Sequence, residues 1–227
     1  MISVLTITYK RHHLLEEAIE SFLRQTNSFE CEMVVINDNP EVDYSFNHPL
    51  VNIINCKERF PSIAAKLKWG YQQCKYNHIY RLDDDDLLAP DALYIVGNAI
   101  TEHPGFEIYR SSSHYFFQDN KFKNLSDNIN NGNVYAKSYL DRIKWPDKSG
   151  DEDEDITYRH NASIYTIYKP TMIYRWGMNT LHISGMGKQT NKAVLERADH
   201  FLKEPSGTIR LDPQFLQPYY NQIKKPS

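Results

Sequence analysis

The sequence predicts an α/β protein: a mixed, open sheet flanked by helices. Three observations lead there. Short β-branched runs alternate with stretches of helical periodicity, polar residues collect just after each run, and four consecutive aspartates, Asp83, Asp84, Asp85 and Asp86, close the fourth run. Alternation of this kind lays strands side by side with helices on their faces, and ligands then bind outside the carboxyl ends of the strands.

The elements follow in order. Residues 3–8 are a β-branched run, and Leu14, Leu15, Ala18, Ile19, Phe22 and Leu23 then recur at helical spacing until Gln25-Thr26-Asn27. A second buried strand over 32–37 stops at Asp38-Asn39-Pro40, and a third covers 51–55. Ser62 is a natural N-cap for a helix from Ile63 to about Cys74. The fourth strand, 79–82, runs straight into the aspartates, and Pro90 and Asp91 open a helix through Leu93, Val96 and Ile100. Beyond Ser111 polar and aromatic residues intermix. There the pattern predicts a turn over 128–133, a helix near 135–143, an acidic cluster over 151–155, and strands over 164–168 and 171–174. The last stretch, from Pro205 with its four prolines, reads as a tail that packs on the body or meets a partner.

Bulk properties narrow the function classes. With 227 residues and 41% hydrophobic content, one domain with a sizeable core is expected. A formal net charge of -3 gives no support to wholesale nucleic-acid binding. The apolar runs are strand-length, far short of the roughly 20 residues a membrane helix needs, so no transmembrane segment is expected. The N-terminus lacks a basic region and a cleavage site, so no signal peptide is read there. Three scattered cysteines, Cys31, Cys56 and Cys74, fit neither a disulfide framework nor a zinc cluster, and point to a reducing, cytoplasmic setting. The 16 tyrosines offer flat surfaces on which sugars and bases stack.

Four carboxylates at the end of a buried strand repel one another unless a cation or hydrogen-bond donors compensate. Hard divalent ions, magnesium or manganese, take oxygen ligands and bridge carboxylates to phosphates. A strand-end Asp-x-Asp therefore suits a metal that clamps a diphosphate; the competing reading is a solvated acidic turn before the helix at Pro90. The second cluster, Asp151 to Asp155, reads on its own as a solvated face or a helix start.

Several motifs in register resemble family 2 glycosyltransferases. Ser3-Val4-Leu5-Thr6-Ile7-Thr8-Tyr9-Lys10-Arg11, the helix ending Ser21-Phe22-Leu23-Arg24-Gln25-Thr26, and Val34-Val35-Ile36-Asn37-Asp38-Asn39 are similar to that family's opening. Arg81-Leu82-Asp83-Asp84-Asp85-Asp86-Leu87 followed by Pro90 looks like its metal loop, and Glu152-Asp153-Glu154-Asp155-Ile156-Thr157-Tyr158-Arg159 its second-half Glu-Asp motif. The match runs to about residue 185. It implies a GT-A (Rossmann-like) fold spanning 1–227, with a nucleotide-sugar-binding half over 1–115, an acceptor half over 116–204 and a C-terminal tail over 205–227.

The resemblance also assigns roles. Thr8, Tyr9 and Arg11 would line the base and ribose pocket, and Asp38 would accept a hydrogen bond from nucleobase or ribose. Lys66 would meet the diphosphate, although Lys68 stands where the family has asparagine, which leaves open which lysine touches the donor. Asp83, beside the ribose, and Asp84 would lie on the donor side; Asp85 would be the principal metal ligand, with Asp86 ordering the loop. Asp153 would be the general base, with Glu152 the alternative and with Asp155 and Arg159 holding the segment. His182 would be a further metal ligand, since imidazole suits manganese, and 184–188 would be a lid; a hydrogen-bonded histidine and an ordinary loop are the plain alternatives. Trp69, Trp145, Trp176 and Tyr174 are candidate stacking surfaces, Trp145 at the acceptor mouth. The implied activity is metal-dependent, inverting transfer from a nucleotide sugar, a UDP-sugar by preference, to a hydroxyl of a glycan or glycoconjugate. Two rivals stand beside it. A nucleotidyltransferase would want a glycine-rich loop after the first strand, which Thr8-Tyr9-Lys10-Arg11 lacks, and a binding module would use the acidic loops structurally.

Overall fold

Seven strands form the central sheet of the computed structural model, in the order β11-β7-β10-β5-β1-β2-β4. The structure describes residues 1–26, 29–118, 121–127, 130–176 and 207–223. The first half alternates: β1 (Ile2–Thr8), α1 (His12–Leu23), β2 (Cys31–Asn37), β3 (Tyr44–Ser45), β4 (Val51–Asn55), α2 (Ile63–Gln72), β5 (His78–Arg81), β6 (Leu87–Leu88) and α3 (Ala92–Glu102). All seven residues of β1 are buried, as a strand covered on both faces requires. It pairs in parallel with β2 on one side and β5 on the other, and β2 pairs in parallel with β4. Ser62 caps α2 as expected, its hydroxyl accepting the Ala65 amide at 3.1 Å. Gly70 brings that helix close to the sheet: a Cβ there would lie 3.0 Å from Leu5 and 3.1 Å from Ile36.

This order fixes where a ligand belongs. From β1 the chain builds outward through β2 and β4, then α2 carries it back to β5 on the other flank of β1. The reversal lies between β1 and β5, and a parallel sheet opens a crevice at such a point beyond its carboxyl ends. Arg11 follows β1 and the four aspartates follow β5, so both loops face that crevice.

The second half continues with β7 (Ile108–Ser111), β8 (Ser113–Gln118), β9 (Lys121–Asp127), β10 (Val134–Ala136), α4 (Lys137–Arg142), α5 (Glu152–Tyr158), β11 (Ile164–Ile167), β12 (Met172–Arg175), β13 (Ile209–Arg210) and α6 (Tyr219–Gln222). Here the sequence reading needs correction. The helix expected from about 135 begins only at Lys137, because Val134–Ala136 is drawn into the sheet, antiparallel to both β5 and β7. Strands β6, β12, β8 and β9 form a second sheet. Within it β12 runs one residue further than expected, to Arg175.

The tail packs on the body. Strand β13 pairs with β3, Tyr219 is fully buried, and the Tyr220 hydroxyl donates to the Leu88 carbonyl at 2.8 Å. Arg175 joins these parts. Its guanidinium donates to Glu17, to the Asp85 carbonyl and to the Tyr219 hydroxyl. Both side chains of the Glu17–Arg175 pair are fully buried. Breaking such a pair strands a charge in the interior, at a cost of about 3–5 kcal/mol. Glu17→Ala, which also removes the acceptor of the Leu216 amide, is expected to lower the unfolding free energy by that amount in a urea titration. Among the described residues no helix is long and apolar enough to cross a membrane.

Candidate active site

The four aspartates end up in four different environments. Asp84 is fully buried and gripped by the Arg11 fork, through Nε at 3.0 Å and through Nη2. Asp85 lies 3.4 Å from Arg11 Nη1, and its backbone carbonyl is held by Arg175. Asp86 is buried with both oxygens engaged, one by the Asn131 amide and one by the Arg175 backbone N–H at 2.9 Å. Asp83 is the most accessible, with 29% of its side chain exposed against 9% for Asp85. It faces Arg81 Nη2 at 3.5 Å.

Burial and mutual repulsion make this loop costly as a set of anions. Burial pushes the Asp84 carboxyl up to about 7, with Arg11 pulling it back and Asp85 pushing further. Burial also raises Asp83 and lifts Asp86 well above the usual carboxylate range, with neighbouring aspartates adding to both. Asp83, Asp85 and Asp86 each present an oxygen, all within 4.8 Å of one another. An all-oxygen set of like charges is the chemistry a hard divalent cation relieves. The residues therefore fit magnesium or manganese.

The donor-side residues form two buried clusters. Thr8 is buried at the end of β1 with its hydroxyl against Asp84, which completes the Arg11 cluster. Lys66 Nζ donates to Asp38 at 2.5 Å and to the Thr8 carbonyl at 2.6 Å, with burial lowering its pKa and Asp38 opposing that. Asp38 also accepts the Phe60 amide at 3.1 Å. Lys66 thus ties the end of β1 to the end of β2, whereas Lys68 is exposed. Tyr9 is half-buried with the Arg59 guanidinium 3.8 Å from its ring centroid. Next to it, a groove of about 530 Å³ is lined by Asn55, Cys56, Arg59, Phe60 and Trp69. Of these only Trp69 stands out from sequence, as a candidate stacking surface; the other walls come from the end of β4 and the loop after it.

The second acidic cluster splits by helical phase. In α5, Glu152 and Asp155 face inward, while Asp151 and Glu154 face solvent and Asp153 is half-buried. Asp155 takes Lys148 at 3.0 Å and Arg159 at 2.8 Å, which anchors the segment. Glu152 has both oxygens occupied: Oε1 by Arg81 Nη2 at 2.8 Å and Oε2 by the Gly150 amide at 2.8 Å. Among the described residues Asp153 accepts a single hydrogen bond, from its neighbour's amide, Glu154 N–H at 3.0 Å. Arg81 Nη2 lies 3.5 Å from Asp83 and 2.8 Å from Glu152, so the two acidic segments meet at that side chain.

Trp145 is half-buried. It stacks on Tyr71 with centroids 5.4 Å apart and donates to the Leu140 carbonyl at 3.0 Å, an interior role. Trp176 packs against Phe116 and Tyr174. His182 and the 184–188 segment lie outside the described residues. Arg81 and Arg175, buried cations that touch the acidic loop beside Arg11, carried no role from sequence, although Arg81 opens the motif that resembles the metal loop.

The model of the family described as glycosyl transferase family 2 matches residues 3–197. The minor teichoic acid biosynthesis protein GgaB of Bacillus subtilis (strain 168) is 29% identical over 109 residues, 44% of this chain and 12% of that protein. Among solved structures, S. aureus TarS 1–349 superposes with a TM-score of 0.60 at 16% identity, covering 77% of this chain and 60% of that one. The same protein in complex with UDP-GlcNAc gives 0.61 at 16% identity, with 77% and 58% covered. At this identity the likeness to TarS is one of fold, the GT-A arrangement. The chain spans under two thirds of each TarS chain and a small part of GgaB.

Proposed function

Since the chain belongs to glycosyl transferase family 2, and is by that membership a glycosyltransferase, we propose that it uses a UDP-sugar and a divalent metal to glycosylate a hydroxyl with inversion. The observation that carries this reading is the three-carboxylate set of Asp83, Asp85 and Asp86 at the crevice between β1 and β5, linked through Arg81 to the helix that bears the half-buried Asp153. The UDP and UDP-GlcNAc complexes of TarS support the uridine donor. The name of GgaB supports a hydroxyl-rich polymer acceptor. Three free cysteines fit a reducing compartment.

In this reading residues 1–115 hold the donor and 116–204 the acceptor. The groove beside Tyr9 and Arg59 takes the nucleobase, and Asp38, fixed by Lys66, holds the Phe60 amide in its wall. Thr8, Arg11 and Asp84 act as a rigid unit under the donor rather than reaching far into it. A divalent cation held by Asp83 and Asp85, with Asp86 fixing the loop and His182 a possible further ligand, would neutralise charge on the departing diphosphate. Asp153 removes the acceptor hydroxyl proton while the oxygen attacks the anomeric carbon. The bond from that carbon to the diphosphate oxygen breaks, and the nucleoside diphosphate leaves from the opposite face.

Calorimetry with UDP in the presence of manganese or a chelator, together with a hydrolysis screen over UDP-, GDP- and dTDP-sugars, tests this. UDP is expected to bind tightly only with metal, and UDP-sugars to be hydrolysed fastest. Equal UDP binding in chelator overturns the metal assignment, and faster hydrolysis of a GDP- or dTDP-sugar overturns the donor.

A further inference from the structure

We propose that Arg81 is a positioning residue that ties the acidic loop to the helix bearing Asp153, and so sets the spacing between the metal-holding and proton-accepting sides of the site. The inference rests on the reading of Asp153 as the base. Arg81 ends β5, an interior strand paired on both sides, and is 7% exposed. A close-packed interior strand gives its side chain a fixed origin. One nitrogen does the joining: Nη2 lies 3.5 Å from Asp83 and 2.8 Å from Glu152. Its Nε and Nη1 are buried without a hydrogen-bond acceptor among the described residues, so the contacts to Asp83 and Glu152 are both made by Nη2.

The far end of the bridge is equally specific. Glu152 passes the constraint on through its second oxygen, which holds the Gly150 amide. That bond closes the turn in which Asp151 adopts the left-handed conformation, φ 52°, before α5 begins. Aspartate tolerates that conformation better than most residues, but it needs such a lock to hold it. Asp153 is the next residue along α5 after Glu152. A shift of Glu152 therefore moves Asp153 relative to Asp83, and a displacement of about 1 Å in a reacting geometry costs on the order of 10²-fold in rate.

The variant pair Arg81→Met with Glu152→Met separates positioning from structural support. A single Arg81→Met strands the buried Glu152 charge, whereas replacing both members removes the two charges together and leaves the lost Gly150 lock and the lost Asp83 contact as the remaining cost. The double variant is expected to fold with a lowered melting temperature and to keep its manganese-dependent UDP affinity. Its kcat on UDP-GlcNAc, or on whichever nucleotide sugar the wild type hydrolyses fastest, is expected to fall at least about 10-fold with donor KM unchanged. Arg81→Lys, which keeps the charge but presents a flexible point donor, should recover part of that kcat. A wild-type kcat in the double variant, or UDP affinity falling in step with kcat, overturns the proposal. Should the double variant fail to fold, Arg81→Lys decides: reduced kcat at unchanged UDP affinity supports the proposal, and wild-type kcat overturns it. Asp153→Asn measured alongside keeps the two ideas apart. Near-normal turnover there removes the base reading itself, while an inactive Asp153→Asn beside a fully active double variant removes only the role of Arg81.

Discussion

Asp85→Asn is expected to lower kcat by about 10²–10³-fold, and manganese should no longer strengthen UDP binding. The side chain contributes one oxygen of the three-carboxylate set, keeps some exposure to the crevice, and has its backbone pinned by Arg175. Deleting one group that stabilises leaving-group charge costs about 10²–10³-fold in kcat. The same change should not cost stability. Asp85 is one of four clustered carboxylates and raises the pKa of Asp83, Asp84 and Asp86, so neutralising it relieves repulsion that the folded state bears. A melting temperature at or above that of the wild type, together with reduced activity, is the signature of a site strained for function. The check is a pair of UDP titrations, with and without manganese, beside a thermal melt. A variant that still binds UDP only in the presence of metal refutes the ligand role.

The part of this protein legible in its sequence is the part built by continuous burial. Strands β1, β2 and β5 are parallel and largely covered, so they read as apolar runs, and the intervening helices show their periodicity. The crevice between β1 and β5 follows from that order alone. What failed to show was pairing over long separations. Val134–Ala136 has nothing in its local pattern to set it apart from the helix that follows, and only β5 and β7 make it a strand. Two-residue strands such as β3 and β13 carry no periodicity at all. The acidic loop was legible as a site but not as a division of labour. Asp84 is occupied by Arg11 from 73 residues away, and Asp85 and Asp86 by Arg175 from about 90. Adjacent identical residues differ here only through partners that the chain brings from elsewhere. For Trp145 the sequence suggested a ligand surface from its place before the acidic cluster but gave no sign of its partner, Tyr71, on which the half-buried ring stacks.

Asp153→Asn is expected to lower kcat by about 10²–10⁴-fold, the span typical of a lost general base, while manganese-dependent UDP affinity stays as in the wild type. The choice of Asp153 over Glu152 follows from what each carboxylate is free to do. Glu152 is buried with one oxygen on Arg81 and the other on the Gly150 amide, so taking a proton there would cost it an ion pair or the turn before α5. Asp153 is half-buried and accepts the neighbouring Glu154 amide through Oδ1. Asparagine can keep that Oδ1 contact while losing the basicity, so the substitution isolates proton transfer from positioning. In kinetic terms the loss should fall on kcat with donor KM little changed, the pattern of an interaction made only in the transition state. Should the loss instead appear in donor KM, with kcat preserved, Asp153 would be a donor-binding residue and the proton would have to go elsewhere.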